Sequence, residues 1–550
     1  MNKDLKYILI LFFLGYFFLF FGNGLISLTS PDEVFYAQTA REMSQHHTWM
    51  TPILFDQPQF EKPILTYWLL RIGFIIFGVS SFSARFFPAL FGLIGVIAVY
   101  LFAKLLFEDH KKAFISALVL LSAGFYIGMA RTVFTDMVFS VLVLLSLLSF
   151  FWGYACEKWK GPGIILFFIF SALAVLAKGP LGLFIPFLAV GVFLLLERKI
   201  KFICSSYALW GILIFLIISL PWYILMTAKY GQAFLHEFFY NDHYRRLIEA
   251  EHGGSDRWYF YPFTMLGCMF PWSIFVAVSL FYLFWRISKP RTADLFIVSW
   301  IASTLLVFQP AHSKLTSYIL PLFPALALAC GDFIYDCIAH KERKRLLFIL
   351  LALIWAILLF IAVGVVFASF KFSNYISSPS PVCFLTMVFI LWLSVLLFYI
   401  ARHKYNTAVY LLALCVPVML SVVPFIHRDI EVNFSSQYAC GYLLKNYSPD
   451  RESYVLASKD FARGTRYYTD MKVAVFAPRA KNFFSPHPIP FLDTDGKILD
   501  FLRQHPLVYC FLKKSSLENL KSALNKDFEY RILNLIGNQY IVKIQQIRHD

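Results

Sequence analysis

Apolar residues in this chain come in long unbroken runs, not in the alternating or three-and-four rhythm of soluble strands and helices. A membrane-crossing helix needs ~20 mainly apolar residues, with ~17 as the lower end. Thirteen stretches meet or approach that length: 6–28, 85–106, 112–130, 135–154, 162–178, 180–197, 207–227, 262–285, 294–309, 317–338, 346–369, 382–401 and 406–424. One further run, 63–78, is short and broken by Arg71. After Pro424 the rhythm changes. Short strand-like runs ("SYVLAS", "PLVYCFL", "QYIVKI") alternate with helical stretches such as "SSLENLKSAL", where Ser515 and Glu518 fit a capping box with the helix starting just after. The pattern predicts a polytopic α-helical membrane domain over 1–424 and a small soluble α/β domain over 425–550.

The polar segments orient the spans. With "MNKDLK" in the cytoplasm and 63–78 left out of the count, "FEDHKK", "CEKWKGPG", "ERKIK", "WRISKPR", "HKERKR" and "ARHKYN" all become short cytoplasmic loops. Were 63–78 a span, these basic loops would face outward. It is therefore read as an amphipathic helix in the interface, with Tyr67 and Trp68 at headgroup depth. The first loop (29–84), 130–136, 228–261, 309–316 and everything after 425 then share the outer face.

Composition agrees: of 550 residues, 59% are hydrophobic, 19% aromatic and 15% charged, with mean hydropathy +0.66. The net charge of +16 is read as basic helix ends, not as a nucleic-acid footprint. No small-residue cleavage site follows the first run, so it is expected to stay as a retained helix. Nine cysteines are scattered without metal-type spacing. Cys440 and Cys510, the two in the C-terminal region, are read as core thiols, with a disulfide as the alternative.

The chemistry collects in the outer segments. The first loop spends Asp32, Glu33, Arg41, Asp56, Glu61 and Lys62 where a simple turn would suffice. Asp32 and Glu33 follow the first span, and a carboxylate desolvated by the membrane surface has a raised pKa that suits a general base; a solvated helix end is the plainer reading. Pro63 holds Lys62 extended at the depth of lipid phosphates, unless the lysine merely anchors the next helix. Arg131 and Asp136 flank one outer turn, where ionisable groups are costly and they could pair with each other. Lys178 in "AKGP" ends a span. "NDHYRRL" supplies Asp242, His243, Arg245 and Arg246, and adjacent arginines among aromatics make an anion clamp. His236, His243 and His252 leave a divalent metal open without matching a ligand pattern. Lys314 and Tyr318 enter a span from the same face. Carboxylates for proton handling beside cations for a phosphate fit a lipid-phosphate leaving group displaced by an outside nucleophile. No P-loop or GxGxxG stands where it would serve, so the activated substrate is expected to arrive on a lipid.

"PDEVFYAQTARE", "FEKPILTYW", "FFPALFG", "RTVFTDM", "AKGP", "NDHYRRL", "FPWSIF" and "SKLTSYILPLFPALAL" occur in this order. As an ordered set they resemble the lipid A aminoarabinose transferase family of GT-C glycosyltransferases, relatives of the protein O-mannosyltransferases. The resemblance covers the membrane domain. It implies transfer of a sugar from undecaprenyl phosphate to lipid A or another envelope glycoconjugate at the periplasmic face of a bacterial inner membrane. It also implies a cytoplasmic N-terminus and a periplasmic C-terminal domain. By this likeness Asp32 matches the first-loop catalytic acid, with Glu33 beside it, and Asp136 a second essential acid. Lys62, Arg246 and Tyr318 match the carrier-phosphate positions, and Glu61 one near the acceptor or a bound ion. Arg131, Lys178, His243, Arg245 and Lys314 remain candidate substrate contacts. Ile64 replaces a second proline of the motif, and Asp242 stands where glutamate is commoner. A protein O-glycosyltransferase is the nearer rival. A lipid-linked sugar transporter would show internal repeats and broken mid-membrane helices, and no matching pair of segments is found.

Overall fold

The apolar runs become helices too greasy for water. The computed structural model describes residues 3–249, 256–371, 378–450, 452–477 and 489–547. Among them seven helices are long and apolar enough to cross a membrane: Ser81–Phe107, Thr135–Ala155, Glu157–Lys178, Ser206–Tyr230, Thr316–Ala339, Lys341–Lys371 and Ser380–Ala401. Two bent pairs add to these, His110–Ser122 with Gly124–Ala130 (66°) and Tyr405–Leu420 with Val423–Phe434 (50°). The first bend has an extended Ala123 at its centre, and the Gly124 N–H turns away to donate to the Phe270 carbonyl at 2.8 Å. The second falls at Pro424, whose ring opens the new helix. Leu209, Trp210, Ile217 and Ile224 stand exposed on one outer helix, an apolar face of the kind lipid covers. The protein is a multi-pass membrane protein.

Several boundaries differ from the sequence reading. The first run forms helix only over Lys3–Gly15 and a π-helical turn over Tyr16–Phe20, not to residue 28. The backbone beyond turns inward, where the carbonyls of Asn23, Ile26 and Ser27 accept from Arg85. The single span expected over 262–285 is two helices, Phe260–Cys268 and Ser273–Arg286, parted around Pro271. The 63–78 run gives a 13-residue helix, Leu65–Phe77, one of the shorter apolar helices. Its Tyr67 is fully buried and accepts a hydrogen bond from Gln59 instead of facing headgroups.

At one end of the helices lies a buried ion cluster. Lys112 reaches Asp332 and Asp336 (2.6 and 2.9 Å), and Arg286 reaches Asp294 and Asp332 (2.6 and 2.9 Å). Helix Thr292–Phe308 starts at this cluster and ends about 25 Å away at the cavity described below.

The chain leaves the membrane part along Val423–Phe434 and, after helix Gln437–Tyr447, builds one sheet. Strands β3 (Tyr454–Ser458), β4 (Lys472–Phe476), β5 (Phe491–Leu492) and β6 (Leu507–Leu512) are parallel, β8 (Gln539–Gln546) runs against them, and the edge strand β7 (Phe528–Ile536) is antiparallel to β8, in the order β5-β4-β3-β6-β8-β7. A two-residue pair, β1 (Ile53–Leu54) and β2 (Gln57–Pro58), sits in the first loop. Alternate strand residues point to opposite faces. Leu456, Cys510 and Val542 pack under helices Asp495–Gln504 and Lys514–Ala523. Val455, Ala457, Phe511 and Ile541 share a core with Val34, Phe35, Phe60 and Tyr67 of the first loop. The sheet is thus seated on that loop. Cys440 and Cys510 are both free and buried, in the two different cores. Helix Lys514–Ala523 has Lys513 as its N-cap, so Ser515 lies inside the first turn and caps nothing.

Candidate active site

Helix Asp32–Gln45 opens with two carboxylates, and its geometry separates them. Neighbouring helical side chains point about 100° apart. Asp32 is exposed and lines a cavity of about 600 Å³. Glu33 turns the other way and is fully buried. Its oxygens accept from Arg85 Nε and Nη2 (2.8 and 2.6 Å), from Thr29 N and Oγ1 (3.0 and 2.9 Å) and from Val133 N (3.1 Å). Every acceptor direction is used. The catalytic role expected for Glu33 therefore fails on position: it is a staple between the first loop and helix Ser81–Phe107. Asp32 stands exposed in the first turn of helix Asp32–Gln45.

The opposite wall carries cations. Lys62, just before Pro63, donates through Nζ to Asp242 Oδ1 and Oδ2 at 2.8 and 2.7 Å. Arg246 Nη1 stands 3.0 Å from Asp242 Oδ1 and donates to the Tyr318 hydroxyl at 3.3 Å. Asp242 and His243 lie on His236–Arg245, wound as a π-helix, a rare form that recurs at functional sites. Burial raises the Asp242 pKa, but the charges of Lys62 and Arg246 outweigh it, and the carboxyl is pushed down to about 2. The His243 imidazole is shifted downward by burial and holds its place by a 2.7 Å bond to the Phe238 carbonyl.

Asp136 opens helix Thr135–Ala155 and pairs with Lys178, not with Arg131. The Lys178 ammonium lies 4.4 Å over the Tyr318 ring. Asp32, Glu61, Lys62, Asp136, Lys178, His243, Arg246 and Tyr318 thus line one cavity. Arg131, Arg245 and Lys314 do not. Arg131 donates to the carbonyls of Phe18 and Phe21 (3.1 and 2.9 Å) beside a second, apolar cavity of about 720 Å³ that Glu33 also borders. Arg245 pairs with Glu249 at 2.9 Å. Lys314 is buried and donates to the Asp256 carbonyl at 3.0 Å. Among the described residues no three His, Cys, Asp or Glu side chains gather as a metal site, and His252 lies outside those residues.

Two cavity residues escaped the sequence reading. Tyr36 is one turn from Asp32 on the same helix face; burial, with Asp136, Asp32 and Glu61 nearby, raises its phenol well above the usual range and keeps it neutral. The i, i+4 spacing was the available signal. Arg463 arrives from helix Lys459–Thr469 of the C-terminal sheet. Its guanidinium lies 4.4 Å over the Phe35 ring and 3.8 Å from Glu61. Nothing local in the sequence ties it to the first loop. Gly464 lets this helix approach, since a Cβ there would meet Ser30 Oγ at 2.3 Å.

Gly179 explains the glycine of "AKGP". Its φ of +80° and ψ of −154° suit glycine almost alone, and a Cβ would sit 2.8 Å from His243 Nε2. Gly179→Ala should cost about 1–3 kcal/mol of stability and displace His243, read as a lower unfolding temperature.

Residues 61–225 match the family described as dolichyl-phosphate-mannose-protein mannosyltransferase. The undecaprenyl phosphate-alpha-4-amino-4-deoxy-L-arabinose arabinosyl transferase of Yersinia pestis (strain Pestoides F) is 31% identical over 323 residues, 58% of this chain and 57% of that one. The match thus spans less than two thirds of that relative. An uncharacterized protein of Aquifex aeolicus (strain VF5) is 29% identical over 354 residues, 64% of this chain and 68% of that one. In fold, ArnT from Cupriavidus metallidurans bound to undecaprenyl phosphate superposes with a TM-score of 0.80 at 19% identity, over 98% of both chains. The fold of this chain, membrane helices and C-terminal sheet together, is the one seen in those ArnT structures. In sequence the chain is thus similar to an arabinosyl transferase and, over 61–225, to the mannosyltransferase family, and in fold it is similar to ArnT.

Proposed function

We propose that this protein moves a sugar, aminoarabinose or a close relative, from undecaprenyl phosphate to lipid A or another envelope glycoconjugate. The observation that carries the reading is the meeting, in one cavity, of Asp32 and Asp136 with Lys62, Arg246 and Tyr318. The likeness to arabinosyl transferases supports the donor class. An acceptor oxygen attacks the anomeric carbon, and the bond from that carbon to the carrier phosphate breaks. The electron pair leaves on the phosphate, where Lys62, Arg246 and Tyr318 hold the growing charge. Asp32 takes the proton of an acceptor hydroxyl, or orients an acceptor that is already an anion. Glu61, Lys178 and Arg463 line the remaining wall.

In this reading the chain crosses the membrane thirteen times: the seven long helices, the two bent pairs, the first helix and three of the shorter apolar ones, with Leu65–Phe77 left at the interface. The N-terminus is cytoplasmic. The cavity and the C-terminal domain, 425–550, are periplasmic in a bacterial inner membrane. The match of 61–225 to the mannosyltransferase family favours, as second reading, transfer to a protein hydroxyl. Mass spectrometry of lipid A and envelope glycoproteins, with and without the protein, separates the two. An added amino-pentose or hexosamine on lipid A is expected; a sugar lost only from proteins would select the rival, and no change in any glycoconjugate would refute both.

A further inference from the structure

Each cation on the cavity wall already faces a carboxylate. Lys178 pairs with Asp136, Arg463 faces Glu61, and Lys62 and Arg246 share Asp242. The last arrangement is unusual in its chemistry. The two cations assigned to the carrier phosphate are bridged by a carboxylate, 6% exposed, whose oxygens are acceptors of the same kind as those of a phosphate. We propose that Asp242 is a built-in competitor of the carrier phosphate. It holds Lys62 and Arg246 in the empty site, yields them to the donor, and retakes them to expel the polyprenyl monophosphate after transfer. This inference rests on the carrier-phosphate reading given above.

Charge makes the device useful. The donor is a phosphodiester with a single negative charge. The departing product is a monoester, with a charge of about −1.5 to −2 at neutral pH. Two bare cations would grip the product harder than the donor, and the site would fill with its own leaving group. With Asp242 present, the trio carries one net positive charge, matched to the diester and too weak to trap the monoester. Two features keep the competitor in place. Arg246 is one turn from it on the same helical segment, whereas Lys62 comes from another loop, so the trio does not depend on one flexible side chain. Its carboxyl also stays ionised well below neutral pH.

The test measures equilibrium binding of a short-chain polyprenyl monophosphate, and of its methyl ester as the diester, to the full chain in nanodiscs. D242N should bind the monoester about tenfold tighter or more, and gain less for the diester. D242E, which keeps the charge, should restore the wild-type ratio. D242S serves if D242N does not fold. Monoester binding by the neutral variants that is no tighter than wild type, in folded protein, would overturn the inference alone and reduce Asp242 to positioning Lys62. If the wild-type chain binds neither probe, the carrier-phosphate reading falls and this inference with it.

Discussion

Asp32→Asn is expected to leave a folded protein that has lost transfer by about 10²–10⁴-fold, the range spanned by a positioned acid or base. Asp32 is exposed at the start of helix Asp32–Gln45, and asparagine keeps its size and its tolerance of that position. The stability change should therefore stay within about 0.5 kcal/mol. The measurement is sugar transfer from a polyprenyl-phosphate donor in proteoliposomes, alongside thermal unfolding of the same preparation. A folded Asn variant with undiminished transfer would remove Asp32 from the mechanism.

One residue along, the outcome reverses. Glu33→Gln should damage the fold by about 3–5 kcal/mol, because it leaves the Arg85 guanidinium charged and buried without its counter-charge, with only neutral oxygens to bond. Arg85→Met should cost a similar amount, and the double variant less than the two together. The readouts are the yield of folded protein and its unfolding temperature. Additive losses would mean that the pair does not act as a unit. Two adjacent acids that look alike in "PDEV" are thus separated by the part of the molecule each one serves.

That contrast shows where sequence reasoning reached its limit. Long apolar runs report burial in lipid directly, so most of the long apolar helices were legible, to within a few residues. The exceptions were runs broken by backbone demands: at Pro271, at the extended Ala123, and beyond Phe20, where carbonyls turn to Arg85. Lys62, Asp136, Lys178, His243, Arg246 and Tyr318 were legible because ionisable or polar groups beside apolar runs need a reason to be there. Glu33 was misread because adjacency in sequence is divergence on a helix. Arg85 had a signal, a charge inside an apolar run, that was passed over. Arg463 had none, since its meeting with Glu61 spans some four hundred residues and only the folded chain reveals it. The same holds for Arg41, Glu42 and Asp56: Arg41 donates to the Tyr467 carbonyl at 2.9 Å, while Arg466 bonds Glu42 and Asp56 at 3.1 and 2.7 Å. Much of the first loop's charge fastens the C-terminal sheet and takes no direct part in the cavity.

The seating of helix Lys459–Thr469 on helix Asp32–Gln45 bears on how the molecule is born. A ribosome at about 5–20 residues per second releases the first loop tens of seconds before its partner helix exists. Through that interval the nascent chain has inserted most of its helices while Arg463, which the C-terminal region contributes to the cavity, is missing. Maturation therefore ends with the tail closing on the head, and a chain cut short before residue 459 would lodge in the bilayer as an unfinished vessel.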